Sequence, residues 1–466
     1  MSNRHYSPRS VAIVTLEIGW VLASLAVAIG LNFALRASFF PVDRFAVQLT
    51  LAGVLVLGGF YYADLYNFGE LRLRRDLVTA AVRAFSTVAF LCGMIFLFTS
   101  WLEFSPLVLM VDLVVTIALV VWLRLHIDGF LKRYGIFTRT AIVGTGSEAR
   151  GLAAELLRRR ELGHDVTCFV TADGAPHAVN VEAPNPGTRS VPVVAAAALL
   201  DVVREQRIKR ILVATADLGE ALPLEELLQC KAAGYQVEDG HTFYERLLGR
   251  IFTANLSAQW LIFSDGFVRS AGARAVKRVV DVAAAVCLLL VAAPLCGVVA
   301  LLIKLGDRGP ILFGQTRAGR QGVPFTLWKF RSMRVDAESA GVPQWAEFND
   351  PRATRVGRWI RALRIDEIPQ CWNVLRGDMS FVGPRPERPE FVSMLRRSIR
   401  FYDHRHAVRP GITGWAQVNF PYGATVEESR RKLEYDLYYL KNFSVLMDAF
   451  IFLRTVKIIM FGWGSR

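Results

Sequence analysis

An aspartate and a glutamate stand side by side in Arg361-Ala-Leu-Arg-Ile-Asp366-Glu367-Ile-Pro-Gln370. An ionised carboxylate can attack phosphorus, and one or two carboxylates together with phosphate oxygens can hold Mg2+. Pro369 suits the first turn of a helix and Gly377 its end. The segment therefore predicts a helix of about two turns, with the acidic pair at its start. Amides and dipole at that end favour the ionised forms. Taken alone, such a pair reads more simply as a plain helix cap. The cations around it change the balance. Lys329-Phe-Arg331-Ser-Met333 lies upstream, Gly383-Pro-Arg385-Pro-Glu387 downstream, and Arg409-Pro-Gly-Ile-Thr-Gly-Trp-Ala-Gln417 beyond that. Arginine's fork matches phosphate oxygens, and flanking prolines fix the direction in which it leaves the chain. The residues point to attack at phosphorus under cationic screening.

The surrounding chain must bring these segments to a common place, and its composition says where. Of 466 residues, 53% are hydrophobic, and the formal net charge is +14. A positive mean hydropathy puts membrane segments first. The charge favours anionic partners, phosphates or lipid head groups. No basic stripe interleaved with aromatics lies away from the apolar runs, so nucleic acid is not an expected partner. The six cysteines form no C-x-x-C pair and read as buried structural thiols.

Four apolar runs open the sequence, at 11–35, 45–63, 84–102 and 104–123, each near the ~20 residues that cross a hydrocarbon core. Arginines at 4 and 9, at 72–83 and from 124 onward place the N-terminus, the second connection and the segment after the fourth run in the cytoplasm. Residues 1–137 are thus expected to form a four-helix transmembrane domain. From Arg139 strand and helix patterns alternate, which implies a parallel sheet with crossovers over 138–265. Gly144-Thr-Gly146-Ser-Glu-Ala149 after the first strand fits a dinucleotide fingerprint, with Asp173 as the ribose-binding acid. The usual second half and any dehydrogenase residues are missing, so a regulatory or oligomerising role fits this Rossmann-like domain better.

A fifth run, 279–303, carries Asp281 and, in its middle, Pro294. Both of its ends are basic, which favours two cytoplasmic ends and a re-entrant helix over 266–305, bent at Pro294. An ordinary fifth span with a proline kink is the alternative. Residues 306–466 form the expected catalytic domain, closed by an interfacial helix near 445–461.

Residues 274–466 resemble the polyprenyl-phosphate glycosyl-1-phosphate transferases, the bacterial sugar transferase family that starts exopolysaccharide and O-antigen chains. The likeness runs through Lys329-Phe-Arg-Ser-Met333, Asp366-Glu-Ile-Pro-Gln370, Asn373-Val-Leu-Arg-Gly-Asp-Met379, Val382-Gly-Pro-Arg-Pro386 and Val408-Arg-Pro-Gly-Ile-Thr-Gly-Trp-Ala-Gln-Val418, in order. The four spans and the α/β domain are similar to the family's large members. The segment 261–267 and the tail 435–466 resemble the branch associated with exopolysaccharide and PEP-CTERM loci.

The resemblance implies that Asp366 is the nucleophile and that Glu367 helps it hold Mg2+. It further implies that Arg361 and Arg385 bind phosphate, with Lys329, Arg331 and Arg409 also contacting substrate, and that Pro294 is the kink of a re-entrant helix. The implied reaction moves a sugar 1-phosphate from a UDP-sugar, UDP-glucose first, to undecaprenyl phosphate through a phosphosugar-aspartate, releasing UMP. The implied place is the bacterial inner membrane, multi-pass among membrane lipids, catalytic domain to the cytoplasm, with a homodimer consistent with the architecture. One departure is Phe420-Pro-Tyr422, where small members have glycine, and it bears on nucleotide or sugar contacts there. His404 and His406 read equally as site residues or as solvated. A nucleotide-sugar epimerase would need Tyr-x-x-x-Lys in the α/β domain, which Tyr134 and Tyr235 do not supply. A non-catalytic scaffold for polysaccharide assembly would not need the acidic pair with its full arginine set.

Overall fold

Runs of apolar residues several turns long, free of internal proline, give the first four elements. In the computed structural model of the protein they are α1 Pro8–Leu35, α2 Val42–Tyr62, α3 Arg74–Phe98 and α4 Pro106–Arg133. The structure describes residues 8–35, 42–62, 74–98, 106–133, 138–158, 163–172, 178–182, 188–214, 222–253, 256, 258–267, 270–334, 352–420 and 425–461. Each of the four helices packs on the next, and α1 also packs on α4, closing a ring. Val21, Leu25, Val56, Phe60, Ala84, Val88 and Ile117 fill its centre. Ser24 of α1 shares a 3.0 Å hydrogen bond with Thr116 of α4. The described apolar stretches within these helices, 15–31, 49–62, 78–90 and 110–123, are only 10–17 residues long.

A six-stranded sheet comes next, with β1 Thr138–Val143, β2 His164–Thr171, β3 Ala178–Glu182, β4 Thr188–Ala195, β5 Arg210–Val213 and β6 Gln236–Asp239. The helices between them are α5 Ser147–Arg158, α6 Leu199–Glu205 and α7 Leu224–Ala232. The order is β3-β4-β2-β1-β5-β6. All pairs are parallel except β3–β4. The parallel strands turn back on either side of β1, the doubly wound arrangement expected of the alternating pattern. The antiparallel β3 is not legible in the sequence. Pro192, which has no donor, sits where β4 passes from pairing with β3 to pairing with β2. The sheet ends at Asp239 rather than near Asp265, and the chain divides into two compact units between Gly240 and His241. Asp173 and His177 lie outside the described residues.

The second unit begins with α8 Gly240–Leu248 and α9 Ala258–Phe263. Ile251 and Leu256 join its core, which explains why this stretch goes with the C-terminal unit and not with the sheet. Next is α10 Ala271–Asp307, 37 residues with Pro294 inside. Its stretch 271–306 is, among the described residues, the one helix long and apolar enough to cross a membrane, by length and composition. Leu290 and Val291 on it are 71% and 75% exposed. Beyond α10 lie a hairpin of β7 Leu312–Ala318 and β8 Pro324–Phe330, then α11 Arg355–Ala362, α12 Gln370–Arg376 and β9 Ser380–Val382. The chain closes with α13 Pro389–Ser398, β10 Gly411–Thr413, α14 Trp415–Asn419, α15 Val426–Lys441 and α16 Val445–Phe461. Thr425 and Glu428 form a capping box that starts α15. Its buried Leu433, Leu437 and Tyr439 meet Val374, Met379 and Trp415 in the core. Cys168, Cys230 and Cys371 are buried as expected, but Cys287 is exposed on α10. The side chain of Cys92 lies outside the described residues, as do Pro421 and Tyr422.

Candidate active site

The acidic pair sits in a single 3-10 turn, Ile365–Glu367, between α11 and α12. Arg364 before it takes a left-handed conformation, φ 55, an uncommon state for a residue with a Cβ. That turn reverses the chain out of α11 and faces the pair inward; Asp366 and Glu367 are each only 8% exposed. As the sequence predicts, α12 is about two turns long and ends at Gly377, φ 93. Asn373 fixes α12 to the hairpin. Its Nδ2 donates to Thr326 O at 2.7 Å, and its Oδ1 accepts from Trp328 N at 3.1 Å. It thus stands in for a neighbouring strand along β8, and β8 carries Lys329.

Three cations hold Glu367. Lys329 Nζ donates to Oε1 at 3.0 Å, Arg385 Nη2 to the same oxygen at 3.1 Å, and Arg364 Nη1 to Oε2 at 3.5 Å. Asp366, its neighbour, has no hydrogen bond or ion pair among the described residues. The two carboxyls therefore diverge. Burial raises both, but at Glu367 the charges of Lys329, Arg385 and Arg364 outweigh it and hold the carboxyl well below the usual range. At Asp366 burial wins, helped by the charge of Glu367 and opposed by Lys329, Arg361 and Arg385, and the carboxyl is pushed up to about 6. The sequence places both at a helix end that favours ionisation. For Asp366 that expectation is reversed, because its turn is buried and its neighbour takes the cations.

Arg385 reaches the pair because its backbone is held on two sides. β9 and β10 pair in parallel just before it, and a Cβ on Gly411 would collide with Gly383 N, so glycine is required for this close approach. On the other side Arg405 Nη2 donates to the carbonyl of Arg385 at 3.0 Å. Arg405 is itself buried, with Nε donating to Asp436 Oδ2 at 3.0 Å and Nη1 to Tyr402 Oη at 2.8 Å. Sequence reasoning misses Arg364 and Arg405. The first lies inside the acidic motif and the second between His404 and His406, but only the folded geometry gives them partners.

Of the predicted site residues, the structure brings Lys329 and Arg385 onto Glu367 by contact, and Asp366, next to it in the chain, feels the charges of Lys329, Arg361 and Arg385. Two others have the following neighbours. Arg331 is buried against Gly309, where a Cβ would meet its Nη1. Arg409 lies at the far end of α12, beside Gly377. His404 is exposed and edge-on to Phe401. His406 is buried, and burial with the charge of Arg405 lowers it to about 4, so it is neutral at pH 7.

For Mg2+, Asp366 has both oxygens uncommitted among the described residues, and Glu367 Oε2 lies 3.5 Å from Arg364 Nη1. No group of three or more His, Cys, Asp or Glu that could hold a metal occurs among the described residues. Mg2+ bound largely by phosphate oxygens needs only one or two carboxylates, so this pair fits it.

In the α/β domain, the Gly144 loop leads from β1 into α5. Gly144 is left-handed, φ 106. Arg150 Nε donates to Thr145 O at 2.9 Å, and Glu148 is buried in the first turn of α5.

Comparison with known proteins agrees with the C-terminal geometry. The bacterial sugar transferase family profile matches residues 272–462, and the CoA-binding domain profile matches 62–218. Over 191 residues the chain is 49% identical to UDP-N-acetylgalactosamine-undecaprenyl-phosphate N-acetylgalactosaminephosphotransferase of Aeromonas hydrophila, covering 41% of this chain and 45% of that one. It is 46% identical over 186 residues to UDP-glucose:undecaprenyl-phosphate glucose-1-phosphate transferase of Caulobacter vibrioides, covering 40% and 69%. It is 44% identical over 186 residues to exopolysaccharide production protein PSS of Rhizobium leguminosarum, covering 39% and 92%. The matched segment spans less than half the length of the Aeromonas protein. With the Rhizobium protein matched along 92% of its length and the acidic pair set among its cations, the chain belongs to the bacterial sugar transferase family.

Proposed function

We propose that the protein transfers a sugar 1-phosphate from a UDP-sugar to undecaprenyl phosphate, with Asp366 as the nucleophile, and so starts an exopolysaccharide chain. The observation that carries this reading is the asymmetry of the pair. Asp366 is buried, without a bonded partner among the described residues, and pushed up to about 6, so it is ionised at pH 7 and poorly solvated, a state suited to attack. Glu367 spends its charge on Lys329, Arg385 and Arg364, which fixes these cations beside the nucleophile.

The Asp366 carboxylate attacks the phosphorus that bears the sugar, a P–O bond to UMP breaks, and a phosphosugar-aspartate remains. The phosphate of the acceptor then attacks the same phosphorus and releases Asp366. Lys329, Arg361 and Arg385 offset the repulsion between carboxylate and phosphate, the larger part of such a barrier. Bound Mg2+, held by Asp366, Glu367 and phosphate oxygens, would add charge neutralisation to the same step.

The seat of the reaction is a membrane surface. Arg278 near the start of α10 bonds the end of α12, while Val299 and Ile303 pack with Ile360 and Ile365. A straight helix would hold residues 278 and 299 about 31 Å apart. Contact of both with neighbouring catalytic elements supports a re-entrant helix bent at Pro294, and its exposed apolar face needs lipid. Four spans by α1–α4 in a bacterial inner membrane, catalytic unit to the cytoplasm, accord with the basic connections and with exposed Val27, Val54, Val82 and Val114.

UDP-glucose is the first donor to test and UDP-N-acetylgalactosamine the second, since relatives bear both names. Purified protein with Mg2+, undecaprenyl phosphate and a panel of UDP-sugars should release UMP with one of them. No release from any, or equal release from Asp366→Asn, overturns the reading.

A further inference from the structure

At the end of α12 away from the acidic pair, three arginines converge. A Cβ on Gly377 would lie 3.6 Å from Arg278 Nη2 and 3.8 Å from Arg409 Nη2, so the two guanidinium groups meet over this turn. Arg320, exposed in the turn between β7 and β8, is the third, near enough for its charge to be felt at Arg409. Burial first, then the charges of Arg278 and Arg320, lower the basicity of Arg409. Arg278 has a structural task as well. It donates to Val374 O at 2.5 Å and Leu375 O at 2.8 Å, satisfying carbonyls that α12 leaves open. Arg320 and Arg409 have no hydrogen bond or ion pair from their side chains among the described residues.

The acids that face this group are engaged elsewhere. Asp281 accepts from Phe381 N at 3.1 Å and pairs with Lys277 at 3.7 Å. Asp378 accepts from Asn373 Nδ2 at 3.3 Å and lies 3.6 Å from Arg376. Three forked cations with no anion of their own fit a tetrahedral oxyanion. Their level in the molecule is informative too. Arg278 immediately precedes Val279 and Val280, both exposed, where the apolar run of α10 begins. Cations at such a boundary meet the phosphate layer of a bilayer.

We propose that Arg278, Arg320 and Arg409 form a second phosphate site, separate from the reacting centre, which takes the phosphate of an anionic lipid headgroup or a free phosphate at the same depth. The seven residues of α12, about 10 Å of helix, separate it from Asp366. The proposal rests on α10 being seated in a membrane but not on the transfer chemistry.

The test is the melting midpoint of the detergent-solubilised full chain, titrated with inorganic phosphate in one series and with dihexanoyl phosphatidylglycerol in another. The midpoint rises with the anion in the wild type. In Arg320→Gln, an exposed position that leaves the fold intact, half-saturation moves up about fivefold to tenfold, the loss of one charge-assisted bond. Asp366→Asn keeps the wild-type response while transfer stops, which separates this site from the catalytic one. A response to the lipid at concentrations where phosphate gives none assigns the lipid as ligand; equal responses assign free phosphate. No response in the wild type, or equal half-saturation in wild type and Arg320→Gln with both ligands, overturns the proposal.

Discussion

The turn at Asp366 and the loop at Gly144 begin alike and end differently. Each lies just before a short helix, α12 or α5, and each carries a buried acid there, Glu367 or Glu148. At the first, cations from β8, from the turn itself and from the segment after β9 arrive within 3.5 Å of one carboxylate and leave its neighbour bare. At the second, the arginine at hand, Arg150, binds a carbonyl of its own loop. The difference between the two helix starts lies in the charges distant in sequence that converge on the first. The fingerprint of glycines alone fixes a turn.

The largest break in that comparison should come from Asp366→Asn, which removes the bare carboxylate. UMP release should fall by about 10³-fold or more, the usual loss of a nucleophile. The same change should raise the melting midpoint at pH 7.5. The folded-state value of Asp366 lies above its unfolded one, so the ionised form opposes folding above about pH 6, and the gain should vanish below about pH 4. Glu367→Gln tests the other half. With its charge gone, Lys329 and Arg385 lose their anchor, and transfer should fall about 10²-fold in kcat with a smaller change in KM for the UDP-sugar. Equal activity in Glu367→Gln would reduce that residue to a helix cap.

Arg405→Lys sharpens the point about distant charges. Lysine keeps the pairing with Asp436 but has no fork to reach the Arg385 carbonyl as well. Transfer should drop about tenfold, with the melting midpoint changed less than in Arg405→Met, which strands Asp436. A pH series makes a gentler probe. Between pH 5 and 7 kcat/KM should climb about tenfold as Asp366 ionises, then level off. His406, lowered to about 4, should leave no inflection near its ordinary value.

Much of this architecture is legible before folding. Asp366-Glu367, Pro369 and Gly377 define the acidic turn and the length of α12 by local rules, and the arginine motifs single out Arg385. The alternation of strand and helix implies the parallel sheet. The features that escape have a common cause. Arg405 matters through a carbonyl 20 residues upstream and an acid 31 residues downstream, and no local pattern encodes either. Arg331 and Arg409 look like Arg385 in sequence, yet one is buried against Gly309 and the other ends up beyond α12. The raised value of Asp366 comes from burial, which is a property of the whole unit. In the sheet, β3 pairs antiparallel with β4 at an edge, a pairing that no local pattern encodes.

Gly146→Ala should have the smallest effect and decides the most about the Gly144 loop. A Cβ at Gly146 meets nothing within 4 Å, so stability should change by less than about 0.5 kcal/mol. In a working dinucleotide site the second glycine lets the backbone approach the pyrophosphate, and a methyl there blocks it. Glu148 adds a negative charge to the first turn of α5, which disfavours an anion there. Transfer rate and melting midpoint in Gly146→Ala should therefore match the wild type, with and without added NADH or coenzyme A. A midpoint that rises with either cofactor in the wild type and not in Gly146→Ala would make this loop a binding site after all, and the contrast with Asp366 would become one between two ligands.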